Sequence, residues 1–259
     1  MDWIETILMI NLWRLVTMSY DMEMEEYHEE MEFKNKPKNI FITGVSSGLG
    51  KALMEEYTNQ GHTVYGITRE DINLENVEEV NIKLPNILKG VNELDVVILN
   101  AGMLGDIKTF DEWKYAELLK IMDVNVWSNK YILDYLFKNN IKVEQVVSIS
   151  SGASEHTYKG WSGYSISKCA LRMMMEVYSK EIDNTHFTSL APGLVDTKMQ
   201  DYLCNDVDKD KFPMMNKFVN ARRDGTSRKP SVVAKDIVDL IPTLFQLDNG
   251  SFIDLRSIK

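Results

Sequence analysis

Two cysteines in 259 residues, Cys169 and Cys204, exclude a disulfide framework and fit a reducing cytoplasm. Neither lies in a CxxC pair, and the four histidines are scattered without ligand spacing, so no metal is expected. Cys169 reads as a small core residue. Positive charge is also scarce. Lysine and arginine number 29 against 39 acidic residues, a formal net charge of -10 that argues against nucleic acid as a partner and against docking on anionic membranes. There is no internal repeat and no low-complexity linker after Lys36. Long hydrophobic runs are missing too. The nearest approach, Trp3 to Met18, is interrupted by Asn11 and Arg14 and is too short and too polar for a membrane span. It lacks a basic leader and a small-residue cleavage site, so it is no signal peptide. The expectation for residues 1–36 is therefore an extension, either an accessory helix or a disordered start with Met24 or Met31 as the true beginning, ahead of a single domain over 37–259.

What is present is apolar bulk, 44% of the chain, enough for a sizeable core, with 15 methionines read as core filler. Short apolar runs alternate with longer helical patterns, the signature of βαβ units on a parallel sheet. Strands are expected at Asn39–Thr43, Thr63–Thr68, Leu94–Leu99, Val143–Ile149, His186–Leu190 and Ser251–Leu255. Helices are expected from Gly48 to a cap near Gly61, and at Glu112–Lys138, Trp161–Ile182 and Val232–Phe245. Right-handed crossovers put helices on both faces, giving an α/β fold with one Rossmann-type doubly wound parallel sheet. The stretch from Arg69 to Leu94 is short for a full helix and a further strand.

Between the first strand and first helix lies Thr43-Gly44-Val45-Ser46-Ser47-Gly48-Leu49-Gly50. A tight strand-to-helix turn gathers free backbone N–H groups and a positive helix end, and glycines let a pyrophosphate approach without a Cβ clash. Gly44, Ser46, Ser47, Gly48, Leu49 and Gly50 are thus candidates for holding a dinucleotide. At the end of the second strand Arg69 is followed by Glu70 and Asp71. A guanidinium there suits a 2′-phosphate, favouring NADP (as NADPH) over NAD. The alternative is a solvated arginine, with Glu70 or Asp71 on the ribose of NAD.

Four further features follow in order. Asn100-Ala101-Gly102 closes the central strand, Asn125 lies in a helix, Ser150-Ser151-Gly152 ends the next strand, and Tyr164-Ser165-Ile166-Ser167-Lys168 opens another helix. Tyr164 and Lys168 fall one turn apart on the same face. Carbonyl reduction requires a proton for the developing alkoxide, and a phenol of ordinary pKa near 10 is a poor partner at neutral pH. A neighbouring ammonium favours phenolate and is expected to pull the pKa of Tyr164 down. Ser151 can polarise the substrate oxygen, and Asn125 can hold a water that relays protons to Lys168.

These motifs resemble the short-chain dehydrogenase/reductase family, from about Asn39 to Leu255, with Pro192-Gly193-Leu194-Val195-Asp196-Thr197 as the last. The resemblance implies Tyr164 as general acid and Lys168 lowering its pKa and binding the nicotinamide ribose. It also implies Ser151 orienting the carbonyl and Asn125 supporting the relay. Asn100, Ala101, Gly102, Tyr164, Lys168, Pro192, Gly193, Val195 and Thr197 would contact the cofactor. One departure is Leu99, where the family commonly has Asn. The adenine-side contact could be Asp71-Ile72 or Asn81-Ile82.

The Ser-Ser-Gly-Ala-Ser run and Gly-Trp-Ser-Gly-Tyr look like the sepiapterin reductase and benzil reductase branch. Specificity is expected from the loop Ala153–Trp161, with His156, Tyr158 and Trp161, and from the mobile segment 198–230. The latter carries Met199, Tyr202, Leu203, Phe212, Met214, Met215 and Phe218. Such walls suit a small hydrophobic carbonyl substrate. The resemblance also implies a homodimer or homotetramer through the helices at 112–138 and 161–182. Rival readings are an NAD-dependent alcohol dehydrogenase working oxidatively and a silent dinucleotide-binding sensor or scaffold.

Overall fold

The computed structural model describes residues 36–258, and the extension expected over 1–36 falls almost wholly outside the described residues. From Lys38 onward the chain forms one unit. It is built on a six-stranded, wholly parallel sheet of order β2-β1-β3-β4-β5-β6. The strands are β1 (Asn39–Thr43), β2 (Thr63–Ile67), β3 (Glu93–Leu99), β4 (Lys142–Ile149), β5 (His186–Ala191) and β6 (Phe252–Asp254). All six fall where the apolar runs place them. Central strands buried on both faces need no polar side, so they read as nearly continuous Val, Ile and Leu.

Helices cover both faces. α1 (Gly48–Asn59) and α8 (Pro230–Leu240) pack Leu49, Leu53, Val233 and Ile237 against Ile40, Ile42, Val96 and Ile98. On the other face lie α2 (Glu78–Ile87), α3 (Tyr115–Met122), α4 (Ser128–Lys138) and α5 (Ser162–Glu181). Their residues Val80, Leu84, Ile132, Leu136, Leu171 and Met175 bury Phe41, Leu94, Val97 and Phe187. Alternate residues of β1 thus serve opposite layers, as the period of a strand requires. Two shorter helices, α6 (Lys198–Asn205) and α7 (Met215–Arg223), form a separate apolar cluster over the carboxyl ends of the strands. Among the described residues, no helix is long and apolar enough to cross a membrane.

Several departures from the sequence expectation have physical causes. The helix expected over 112–138 is broken by a widened π turn at Asp123–Trp127 between α3 and α4. The loosened carbonyls find side chains: Ser128 Oγ donates to Val124 O at 2.8 Å and Asn129 Nδ2 to Asn125 O at 2.9 Å. The last helix starts at Pro230, whose fixed φ suits a first turn, and ends at Leu240, where a tight 3₁₀ segment (Ile241–Gln246) takes over. Between Arg69 and β3 there is one helix, α2, with Pro85 inside it, and no strand, so the sheet begins at β2. Cys169, expected in the core, is exposed, its Sγ 3.0 Å from Ser154 O.

Candidate active site

The strand order reverses between β1 and β3, and at such a switch point the loops leaving the carboxyl ends diverge and open a crevice. A cavity of about 510 Å³ lies there. Its wall includes Gly44, Ser46, Ser47, Gly48, Leu49 and Gly50 from the first loop, Arg69 from the end of β2, and Asn100, Ala101 and Gly102 from the end of β3. Ser151, Tyr164, Lys168, Pro192, Gly193, Val195 and Thr197 also line it. Every residue singled out from the motifs therefore borders one crevice, except Asn125, which is fully buried behind it.

The first loop is shaped by its glycines. Gly44 (φ +77°) and Gly48 (φ +58°) take left-handed conformations that favour glycine. Gly50 has a different task. A Cβ there would overlap the Gly44 carbonyl and the Asn100 amide, so the third glycine lets α1 press against the end of β3. Ser47 precedes α1 without capping it through its side chain, and the first turn of α1 carries no acidic residue. The positive helix end therefore meets the cavity without a built-in counter-ion, a setting that fits a phosphate. Thr43, which sequence reasoning passed over, braces the floor. Its fully buried Oγ1 accepts from the backbone N–H groups of Asn100 (3.0 Å) and Ala101 (2.9 Å), while Asn100 Nδ2 donates to Thr43 O at 2.9 Å. A hydroxyl residue closing a buried strand was the available signal.

Of the two adenine-side alternatives, Ile72 lines the cavity together with Asn73, Leu74 and Glu75, whereas Asn81 and Ile82 do not, and Ile82 is exposed. Asp71 is turned back on the strand end, its Oδ2 accepting from Thr68 N at 2.8 Å and Thr68 Oγ1 at 2.7 Å. Arg69 pairs with Glu75.

At the far end, α5 presents Tyr164 and Lys168 on one face, with Lys168 Nζ 5.7 Å from the Tyr164 ring centroid. Both are buried, and Nζ donates to Ile149 O at 2.7 Å, tying the helix to the end of β4. The expected direction of the tyrosine shift is corrected here. Burial dominates, and it pushes the Tyr164 phenol up to about 12, with a hydrogen bond to Ser151 pulling the other way. The same burial brings the Lys168 ammonium down to about 8. The phenol therefore keeps its proton at neutral pH, beside a mostly charged lysine, and would release it only to a more basic oxygen such as a developing alkoxide, with the ammonium there to steady the phenolate left behind.

Asn125 holds this end together. Its Oδ1 accepts from Met103 N at 2.8 Å, and its Nδ2 donates to Met103 O and to Ser167 Oγ, each at 2.9 Å. The amide thus joins the loop that begins Asn100-Ala101-Gly102 to α5. Gly102 fits between them, since a Cβ there would lie 3.3 Å from Asn125 Oδ1 and 3.5 Å from Lys168 Nζ.

Over Tyr164 sits an aromatic roof. Trp161 meets the Tyr164 ring edge-on at 5.7 Å and stacks on Phe218 from α7 at 5.5 Å. Trp161, Met199, Leu203 and Phe218 line the cavity; Tyr202, Phe212, Met214 and Met215 support them in the cluster beneath, and His156 and Tyr158 do not reach the cavity. Met103, Leu194 and Gln200 also line it, and of these the two expected segments include Gln200 by position without singling it out. α7 is held down by Arg222, which pairs with Asp196 and, at 2.8 Å, with Asp201. No group of three or more His, Cys, Asp or Glu that could hold a metal ion occurs among the described residues.

A doubly wound sheet thus sets a glycine-shaped loop at its switch point across one crevice from a Tyr–Lys pair. The family model for short chain dehydrogenase matches residues 71–208, and the chain belongs to that family. A benzil reductase ((S)-benzoin forming) of Bacillus subtilis (strain 168) is 28% identical over 239 residues, covering 83% of this chain and 97% of that protein. The solved short chain dehydrogenase/reductase YIR035C of Saccharomyces cerevisiae superposes with a TM-score of 0.72 at 21% identity, covering 85% of this chain and 97% of that one. A structure of the angucycline C-6 ketoreductase LanV with bound NADP superposes at 0.67 and 19% identity, over 84% and 93% of the two chains.

Proposed function

We propose that this protein reduces the carbonyl group of a small hydrophobic molecule, using NADPH, with Tyr164 as the general acid. The observation that carries this reading is the placement of Tyr164, Lys168 and Ser151 on the same cavity wall as the glycine loop Gly44–Gly50. The nicotinamide cofactor supplies a hydride when bound. Its phosphates would be held by the Gly44–Gly50 loop and the start of α1 and its nicotinamide ribose by Tyr164 and Lys168, with Val195 and Thr197 contacting it beyond the Pro192-Gly193 turn.

The chain's own residues do the rest. Ser151 donates to the substrate oxygen and draws it towards Tyr164. Tyr164 gives its proton to the oxygen as negative charge develops there, and the Lys168 ammonium stabilises the resulting phenolate. Because Lys168 Nζ is anchored on Ile149 O, its charge is positioned before substrate arrives. Asn125 is a positioning residue that keeps Met103 and α5 in register.

Trp161 and Phe218, with Met199 and Leu203, exclude water and favour flat, apolar substrates. Together with the relationship to a protein named benzil reductase, this points to aromatic 1,2-diketones as the substrate class. Arg69 at the ribose end favours the 2′-phosphorylated cofactor. Apolar side chains exposed on α5 (Ile166, Met173, Val177) and near or on α3 (Phe110, Tyr115, Leu119) offer a surface for a second copy, making a homodimer the assembly we favour. Two unpaired cysteines suit a cytoplasmic enzyme.

A spectrophotometric screen of NADPH and NADH oxidation against benzil, aliphatic diketones, quinones, aldehydes and pterins tests this reading. The expected result is fastest turnover with NADPH and an aromatic diketone. Absence of turnover with every carbonyl class, by protein that binds NADPH, would overturn it.

A further inference from the structure

Three charged side chains meet at the Arg69 end of the cavity. Glu75 stands between two cations: Arg69 pairs with its Oε1, and Lys120 of α3 approaches its Oε2 at 3.3 Å. Arg69 and Glu75 line the cavity and Lys120 stands just outside it. The carboxylate is rooted, at 23% side-chain exposure, while the two cations are free arms at 73% and 61%. Glu75 N donates to Asn73 Oδ1 and Asn73 N to Glu79 Oε2, both at 3.2 Å, so the turn that carries Glu75 is fixed to the start of α2. This juxtaposition follows from the short connection after β2. With no strand between β2 and α2, the turn folds straight back and sets an acidic side chain beside the arginine that ends β2.

We propose that Glu75 is a specificity-determining residue for the cofactor, a carboxylate that is shared between Arg69 and Lys120 and changes hands with the ribose 2′ substituent. The proposal rests on the reading of Arg69 as the partner of a 2′-phosphate. Facing a 2′-hydroxyl, Glu75 accepts its hydrogen bond and keeps Arg69. Facing a 2′-phosphate, Arg69 turns to the phosphate and Lys120 retains the carboxylate, whose negative charge then opposes the phosphate at close range. Glu75 therefore narrows the preference for NADPH, and Lys120 limits how far it does so.

The experiment is equilibrium binding of NADPH and of NADH without substrate, read by protein fluorescence or calorimetry, for wild type, Glu75→Gln, Lys120→Met, the double variant and Arg69→Ala. Thermal melts check that each is folded. Removing one partly exposed charge should tighten NADPH about fivefold in Glu75→Gln and weaken NADH by about twofold or more. Lys120→Met should weaken NADPH about threefold, leave NADH unchanged, and have no effect on either once Glu75 is glutamine. If Arg69→Ala weakens NADPH selectively but Glu75→Gln leaves the ratio of the two affinities unchanged, or lowers NADPH affinity, the proposal fails and the Arg69 reading stands. If Arg69→Ala weakens both cofactors equally, the Arg69 reading fails and takes the proposal with it.

Discussion

Asn125 offers the sharpest test of how the site is held. Its side chain is fully buried and makes three hydrogen bonds, two to the Met103 backbone and one to Ser167. Asn125→Ala removes all three. At roughly 1 kcal/mol net per bond, and with the Met103 groups partly reached by water, the loss should be about 3 kcal/mol. That is a large share of the roughly 5–15 kcal/mol typical of a domain, and it should lower the melting temperature by about 6–12 °C for a unit of this size. Asn125→Asp separates the donors from the acceptor. It keeps an acceptor for Met103 N but cannot donate to Met103 O or Ser167, and it buries a charge. At pH 7.5 it should be less stable than Asn125→Ala, with the gap closing on acidification, because burial raises a carboxyl's pKa and protonation restores a donor. Urea unfolding at pH 7.5 and pH 5.5 measures both. A loss below about 1 kcal/mol for Asn125→Ala would show that the amide is not the clamp described.

The buried lysine predicts a pH signature. A folded-state value of about 8, against 10.5 in the open chain, means that burial opposes the charged form. The penalty is complete below pH 8 and is relieved as the folded state sheds its proton between pH 8 and 10.5. The stability of Lys168→Met relative to wild type should therefore fall by up to about 3 kcal/mol between pH 8 and pH 10.5, on top of a pH-independent loss from the missing hydrogen bond to Ile149 O. A constant difference across that window would contradict it. Tyr164, held up at about 12, contributes nothing until above pH 10, where its shift costs stability as pH rises.

Two glycines should separate strain from crowding. A Cβ added at Gly61 (φ +84°) would have no atom within 4 Å, so Gly61→Ala should cost only about 1 kcal/mol. Gly50→Ala drives a methyl into Gly44 O and should cost more and weaken cofactor binding at least tenfold, as calorimetry would show. Met173→Glu, at an exposed position of α5, should break the proposed homodimer: light scattering should give a dimer mass for wild type and a monomer mass for the variant, and equal masses would remove that face as an interface.

The strands were legible because a sheet covered on both faces leaves its β1, β3 and β4 residues only one solution, continuous apolar side chains. The motif residues were legible because they sit at carboxyl ends of strands, where chain order alone brings Gly44, Asn100 and Ser151 to one rim. What escaped was tertiary. The pairing of Glu75 with Arg69 and Lys120, the stacking of Trp161 on Phe218, and the capture of the Asn125 amide by Met103 all join segments that no local pattern links. The direction of the Tyr164 shift escaped for a related reason. Proximity to a lysine is visible in an i, i+4 spacing, but the burial that outweighs it is not. The π turn at Asp123–Trp127 was hidden likewise, since its carbonyls are satisfied by Ser128 and Asn129, which look like ordinary polar helix residues.

Proton donation by Tyr164 is the step on which the functional reading stands. The most direct measurement compares benzil reduction by wild type and Tyr164→Phe at saturating NADPH, with NADPH affinity determined alongside. Turnover should fall by about 10²–10⁴-fold while affinity stays within a few-fold. Turnover within tenfold of wild type, at equal affinity, would contradict it.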